Sequence, residues 1–127
     1  MQEKLVYEYG VIRVIPRVDL GECLNVGVIL FCKRKRFLAM KYKMDRTRLA
    51  IFDQLIDLDE IEGYLKAWDL ICQGKKEGGQ IALQEWPERF RWLTAVKSTI
   101  VQSSRVHPGL CLDPQSELDH LFEQYIL

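Results

Sequence analysis

The run from Arg89 to Leu112 is the part of this chain best suited to binding an anion, because it contains no carboxylate that would repel one. Its 24 residues, RFRWLTAVKSTIVQSSRVHPGLCL, hold four basic side chains, one histidine and six hydroxyl or amide side chains. Charged residues make up 28% of the chain, so an acid-free run of this length is not expected by chance. Arginine can grip a carboxylate or phosphate with paired hydrogen bonds, and hydroxyls add donors beside it. The run therefore indicates a surface for an anion, a nucleic acid or an acidic partner.

Arg13 and Asn25, which lie much earlier in the chain, extend this set of candidates. Asn25 lies with Gly27 in a predicted strand, where a glycine often marks a bulge or a close backbone approach. Either this is a detail of sheet packing, or the small polar face lines a pocket with Arg13 and Tyr9. The candidates for binding an anion or a partner are Arg13, Asn25, Arg89, Arg91, Trp92, Lys97, Ser98, Thr99, Arg105 and His107.

These cations have a second, purely structural interpretation. In that interpretation they pair with the acidic helix that begins at Asp57 and stabilise the fold. Arg89 and Arg91 would be 200° apart on a helix, so they share a ligand easily only on an extended chain. The sequence leaves both interpretations open.

The sequence does not indicate a catalytic or metal site. Its two histidines are His107 and His120, and no GxSxG, GxGxxG or phosphate-loop pattern accompanies them. His120 and Glu123 supply only two ligands, which make a poor metal site. We therefore assign no catalytic residue, no metal and no cofactor. Free thiols are expected for the cysteines, which form no CxxC pair: Cys23, Cys32, Cys72 and Cys111.

The charge is balanced overall but unevenly distributed. Residues 1–48 carry 11 basic and 5 acidic groups, and residues 49–88 carry 3 basic and 9 acidic groups. The basic run Lys33–Arg36 resembles a small nucleic-acid patch, but as a hairpin turn it faces water, so a solvated loop is the simpler interpretation. No apolar run approaches the roughly 20 residues that span a bilayer, and no secretory leader is recognised. We expect no membrane, no nucleic-acid partner and a cytoplasmic location.

The first third of the chain predicts an antiparallel meander of three strands. Residues 5–16, 22–32 and 37–43 are rich in β-branched and aromatic side chains and are separated by turns. With a strict period of two, the second strand presents an apolar face of Leu24, Val26, Val28 and Leu30. Residues 98–103 favour a fourth strand, and 107–109, His-Pro-Gly, favour a turn.

The rest of the chain predicts helices. Asp45 caps a short helix through Phe52, and Asp57 with Glu60 resembles a capping box that opens a helix ending at Gly74. Pro87 opens a short third helix, and Asp113 caps a final one. The predicted fold is a single α+β domain over residues 1–127, with an antiparallel sheet of three to four strands and about three to four helices packed on it.

Two blocks and the closing helix resemble a known family. The blocks YEYGVIRVIPRVDLGECLNVGVILF and RFRWLTAVKSTIVQSSRVHPGL, with ELDHLFEQYI at the end, look like the bacterial family catalogued as domain of unknown function 3037. The resemblance covers most of the chain and supplies no catalytic residue. The positions that match the blocks are Arg13, Pro16, Glu22, Asn25, Gly27, Arg89, Trp92, Thr94, Ser98, Thr99, His107 and Gly109.

The resemblance also implies a context. Members of this family are often encoded beside a HipA-like serine/threonine kinase, which implies an accessory or regulatory subunit. Our leading hypothesis is a non-enzymatic interaction module that binds such a kinase, or another protein, through a sheet edge and the acid-free run. The alternative is a small ligand-binding protein or enzyme acting on a phosphorylated or nucleotide substrate, in which His107 could serve as general acid or base.

Overall fold

The computed structural model describes residues 3–127, and its sheet begins with the predicted meander. Strands β1, β2 and β3 pair antiparallel in chain order, and two short strands near the end of the chain pair with the free edge of β1. The α+β prediction is confirmed, with five strands instead of three to four. Their bounds are β1 Leu5–Val14, β2 Leu24–Cys32, β3 Phe37–Tyr42, β4 Val101–Ser103 and β5 His107–Cys111.

Strands β4 and β5 divide one edge of β1 between them. β5 pairs with the first half of β1, where Tyr9 is opposite His107, and β4 pairs with residues 12–14. The turn predicted at 107–109 is therefore wrong. Pro108 is tolerated because β5 is an edge strand. Gly109 is required for close packing, since a Cβ on it would lie 2.6 Å from the ring of Tyr7.

The apolar face predicted for β2 is wrong, because this strand contains a β-bulge. Ile12 is opposite Gly27 but Arg13 is opposite Asn25, so Val26 is the extra residue that shifts the register. Val26 consequently packs with Ile29 on one side of the sheet, while Val28 and Leu30 pack on the other. Gly27 also fits the predicted close approach, because a Cβ there would lie 2.8 Å from the carbonyl oxygen of Lys41.

Four helices form at the predicted places, three of them after an aspartate cap and one at Pro87. The side chains of Asp45, Asp57 and Asp113 each accept a hydrogen bond from a backbone N–H in the first turn of their helix. Gly74 ends the longest helix in the left-handed conformation, at φ 72°. The bounds are α1 Arg46–Phe52, α2 Leu58–Gln73, α3 Trp86–Thr94 and α4 Pro114–Tyr125, with short 3-10 turns at Val18–Leu20, Lys76–Gly78 and Ile81–Leu83.

The sheet lies between two helical layers, and each side has its own apolar core. Helices α1, α2 and α3 cover one face, where Ile12, Ile29 and Phe31 are buried. Within residues 3–127, helix α4 covers the other face, where it packs on β2 and β3 and contributes Leu118 and Phe122 to the second core. Among the helices of residues 3–127, none is both long and apolar enough to cross a membrane.

Candidate functional site

The ten candidate side chains are spread over several separate places, so they do not form one site. Arg13 and Asn25 are adjacent on the α4 face of the sheet, and His107 lies farther along that face. Arg91 belongs to α3, which lies on the opposite side of the sheet from α4. The residues around Lys97 follow α3 in a loop that packs on α2. Arg105 is exposed between β4 and β5.

Arg89 has a structural role. Its guanidinium donates to the carbonyl of Gln84 at 2.6 Å and packs on Gly74, whose Cβ position would lie 3.2 Å from Cζ. Arg89 therefore holds the end of α2 against the chain that leads into α3. As a helix predicts, it points away from Arg91.

The acidic start of α2 is not paired with the acid-free run. Arg46 of α1 donates to Asp59 at 2.7 Å and to Glu62 at 2.9 Å. These bonds tie α1 to α2, and the hydrogen bond to Asp59, with the coulombic attraction of both carboxylates, raises the pKa of Arg46. The interpretation that the cations at 89–107 pair with the acidic start of α2 is thus wrong, because Arg46 of α1 supplies the counter-charge there.

Arg13 and Asn25 are in contact range because they are cross-strand partners. The register places Arg13 between Asn25 of β2 and Gln102 of β4, so the three side chains share the α4 face. No ion pair among residues 3–127 involves Arg13, and its Nε is buried without a hydrogen-bond partner. His107 is instead beside Tyr9, with ring centroids 5.4 Å apart.

One cavity is a cleft of about 950 Å³, which we call the sheet cleft. It lies between the start of β1, where Val6 and Glu8 are exposed, and the residues Pro87, Glu88 and Arg91 of α3. Phe31, stacked on Phe90 at 5.0 Å, marks the inner wall. The lining residues are Glu3, Lys4, Val6, Tyr7, Glu8, Phe31, Lys33, Arg34, Pro87, Glu88 and Arg91.

The sheet cleft combines a bare apolar floor with a rim of paired charges. Val6 is 65% exposed and its cross-strand partner Leu110 is 60% exposed, so both side chains project from the same uncovered face. On the rim, Arg34 bonds Glu3 at 2.9 Å, and this hydrogen bond lowers the pKa of Glu3. Arg91 lies 3.7 Å from the carboxylate of Glu88.

A second cavity, of about 460 Å³, lies between α2 and the loop after α3, and we call it the tryptophan groove. Helix α2 supplies one wall and residues 92–99 supply the other. Three of the predicted candidates, Trp92, Lys97 and Thr99, meet here; Ser98 is exposed beside them. The lining residues are Tyr64, Ala67, Trp68, Ile71, Trp92, Ala95, Val96, Lys97 and Thr99.

Lys97 is the one charged side chain that lines the tryptophan groove. Its ammonium is 4.4 Å from the ring centre of Trp92 and 5.5 Å from that of Trp68. It donates to the carbonyls of Trp92 and Ala95, and it has no carboxylate partner among residues 3–127. Burial lowers its pKa because the protonated form loses water.

Sequence reasoning missed the α2 wall of the groove and the floor of the cleft. Tyr64 and Trp68 belong to the apolar stripe of α2, and such a stripe predicts packing in the core and not a binding site. Trp68 is buried, yet its ring is also the surface on which Lys97 rests. Val6 could have been found from the alternation of buried and exposed side chains along β1, because it is an apolar residue at an exposed position.

Nucleophiles and metal ligands do not gather in the part of the chain that the structure describes. Within residues 3–127, no three His, Cys, Asp or Glu side chains lie close enough to hold a metal ion. Cys23 is an exposed free thiol and the three other cysteines are buried free thiols. Burial raises the pKa of Cys72, which keeps that thiol protonated and unreactive.

Comparison with known proteins gives one match. A family model described as "Protein of unknown function (DUF3037)" matches residues 9–126, nearly the whole chain. No curated protein and no solved structure matches.

Proposed function

The chain belongs to the DUF3037 family of proteins of unknown function, and we propose that it is a non-enzymatic interaction module that binds a partner protein through the sheet cleft. One observation carries the proposal: Val6 and Leu110 form an exposed apolar pair on a sheet face that its own helices leave uncovered. Contiguous exposed apolar surface with a polar rim is typical of protein interfaces.

An amphipathic helix is the partner element that fits this face best. Each apolar core of the sheet is formed with helices, and a helix of roughly 10–12 Å diameter spans two strands spaced about 4.8 Å apart. Here those strands are β1 and β5, which carry Val6 and Leu110. The partner helix would continue the layer of α3 beyond Pro87 and bury the floor of the cleft.

The face is better suited to docking than the edge of β5. Pro108 lies in the middle of this edge strand and has no N–H, so a strand added there would lose one ladder hydrogen bond. A protein helix that docks on the face through an apolar stripe needs no ladder hydrogen bond.

The partner that we propose is a HipA-like kinase, for which this chain would act as an accessory or regulatory subunit. The support is the genomic neighbourhood that the family resemblance implies, together with a surface of the kind that a stable subunit contact needs. The acid-free run supports this choice of surface, because Arg91 lines the sheet cleft and Leu110 is the cross-strand partner of Val6, which lines it as well.

The test is co-expression of this chain with the HipA-like kinase encoded beside it, followed by titration of the purified partners. Val6→Asp and Leu110→Asp place a charge on the apolar floor, and we expect each to weaken binding by at least about tenfold. Leu55→Asp is the matched control, because Leu55 is 95% exposed and lies outside the cleft. Absence of a complex with the unchanged chain, or equal binding by the cleft and control variants, would overturn the proposal.

A further inference from the structure

We infer that the tryptophan groove binds a small carboxylic acid with an apolar tail, whose carboxylate pairs with Lys97. This site is separate from the sheet cleft: it uses α2 and the loop after α3, and it shares no lining residue with the cleft. The inference therefore does not rest on the proposed function.

The walls of the groove suit an apolar tail. Trp68 and Ile71 supply one wall from α2, and Trp92 and Val96 supply the other. Val96 is 97% exposed, so its side chain has no cover from the protein itself. The volume of about 460 Å³ is in the range of small-molecule pockets, which are mostly apolar with a few placed polar groups.

Lys97 is the placed polar group. An ammonium has three donors, and Lys97 directs bonds to the carbonyls of Trp92 and Ala95, which leaves donor capacity for a ligand. Both carbonyls are neutral, so the positive charge in the groove is uncompensated. A carboxylate beside it would form a charge-assisted hydrogen bond and return the lowered pKa of Lys97 toward its ordinary value.

The charge balance favours a carboxylate over a phosphate. Among the lining residues Lys97 carries the single positive charge, and none carries a negative one. A singly charged carboxylate is neutralised by it. A doubly charged phosphate would leave one charge uncompensated against two indole rings and aliphatic side chains, which is costly in an apolar site. A cation would instead be repelled by Lys97.

Octanoate is the probe, and the intrinsic fluorescence of the intact chain is the first readout, because Trp68 and Trp92 lie in the walls. Octanol carries a similar tail without charge, octylamine carries the opposite charge, and octyl phosphate carries the doubly charged head group. We expect saturable binding of octanoate, at least about tenfold tighter than octanol or octyl phosphate, which corresponds to about 1.4 kcal/mol. Octylamine should bind more weakly than octanol.

Lys97→Met separates the two parts of the site, because methionine keeps a long apolar side chain and removes the charge. In this variant octanoate should bind no better than octanol, while octanol binding should be retained. Lys75→Met is the matched control, since Lys75 is an exposed lysine outside the groove, and it should keep the preference for octanoate. Titration calorimetry gives the same affinities without relying on the tryptophans.

Three outcomes would overturn the inference. One is the absence of any saturable signal with octanoate in both fluorescence and calorimetry. A second is equal affinity of the unchanged chain for octanoate and octanol. A third is a preference for octanoate that survives Lys97→Met, since another residue would then hold the carboxylate.

Discussion

The hydroxyl groups of Tyr9 and Tyr125 lie 3.1 Å apart, which joins the middle of β1 to the last turn of α4. Tyr7, two residues earlier on the same face, donates to the carboxylate of Glu117 near the other end of that helix. Among the helices that the structure describes, α4 is the one that packs on this face, so these two contacts add polar attachments to its apolar packing. The bond to Tyr125, followed by burial, raises the pKa of Tyr9 to about 12.

The first prediction concerns alkaline stability. The pKa of Tyr9 in the folded chain is raised above its ordinary value of 10.0. The stabilisation that its protonated hydroxyl gives to the folded state is therefore fully present below pH 10.0. It is lost as the pH rises through about 12. Tyr9→Phe should therefore lower the free energy of unfolding at neutral pH, and the difference from the unchanged chain should shrink across this window. Urea unfolding at a series of pH values measures it.

Tyr64→Phe is the control for Tyr9→Phe, because Tyr64 lies on α2 and its hydroxyl has no hydrogen-bond partner among residues 3–127. Its difference from the unchanged chain should stay constant over the same pH range. A constant difference for Tyr9→Phe as well would contradict the role assigned to the bond with Tyr125.

The second prediction concerns Ser104, which is buried in the gap between β4 and β5. Its hydroxyl accepts a hydrogen bond from the N–H of Val11 at 2.8 Å and donates to the carbonyl of Arg105 at 2.9 Å. Ser104→Ala leaves a buried N–H unsatisfied, so we expect a loss of about 1–3 kcal/mol in the free energy of unfolding. Ser98→Ala, at an exposed serine, should change little. Equal effects of the two substitutions in chemical denaturation would refute this role for Ser104.

The third prediction compares two glycines. A Cβ on Gly27 would lie 2.8 Å from the backbone oxygen of Lys41 and 2.8 Å from Cβ of Tyr42, so β2 and β3 must separate to admit it. Gly27→Ala should destabilise the chain by about 1–3 kcal/mol. Gly63 on α2 has no atom within 4 Å of its Cβ position, and Gly63→Ala should stabilise by about 0.5–1 kcal/mol. Thermal unfolding should show opposite signs, and shifts of the same sign would disprove the prediction.

The fourth prediction concerns the start of α2. The carboxylate of Asp57 accepts a hydrogen bond from the N–H of Glu60 at 3.1 Å. Asp57→Ala removes this cap and should cost about 1 kcal/mol of stability. Asp57→Asn keeps a capping oxygen and should retain most of it. If both variants unfold at the same denaturant concentration, the negative charge matters more than the cap.

Much of the fold was predictable because it is encoded over short distances in the chain. A cap needs an acceptor three residues before its donor, as Asp45 provides for Arg48. The hairpin between β2 and β3 needs only a turn between two apolar runs. The predicted caps, the meander and the glycine end of α2 are confirmed for this reason.

Longer-range features were not predictable from these patterns. The bulge at Val26 depends on register with β1, and one extra residue exchanges the two faces of a strand. The segment 107–109 has the composition of a turn, but pairing with residues about 100 positions earlier makes it a strand. The local propensities of residues 107–109 carry no information about the distant strand with which they pair.

For the candidate site, the sequence by itself determined which residues carry donors, charge and aromatic rings, and it placed Trp92, Lys97 and Thr99 close together. Only the tertiary structure decided what they face. Folding brings Trp68 of α2 under the ammonium of Lys97, while it directs Arg91 to the sheet cleft and Arg13 to the α4 face. The physical reason is that a site is made by side chains from distant elements, whose meeting depends on how the helices pack on the sheet.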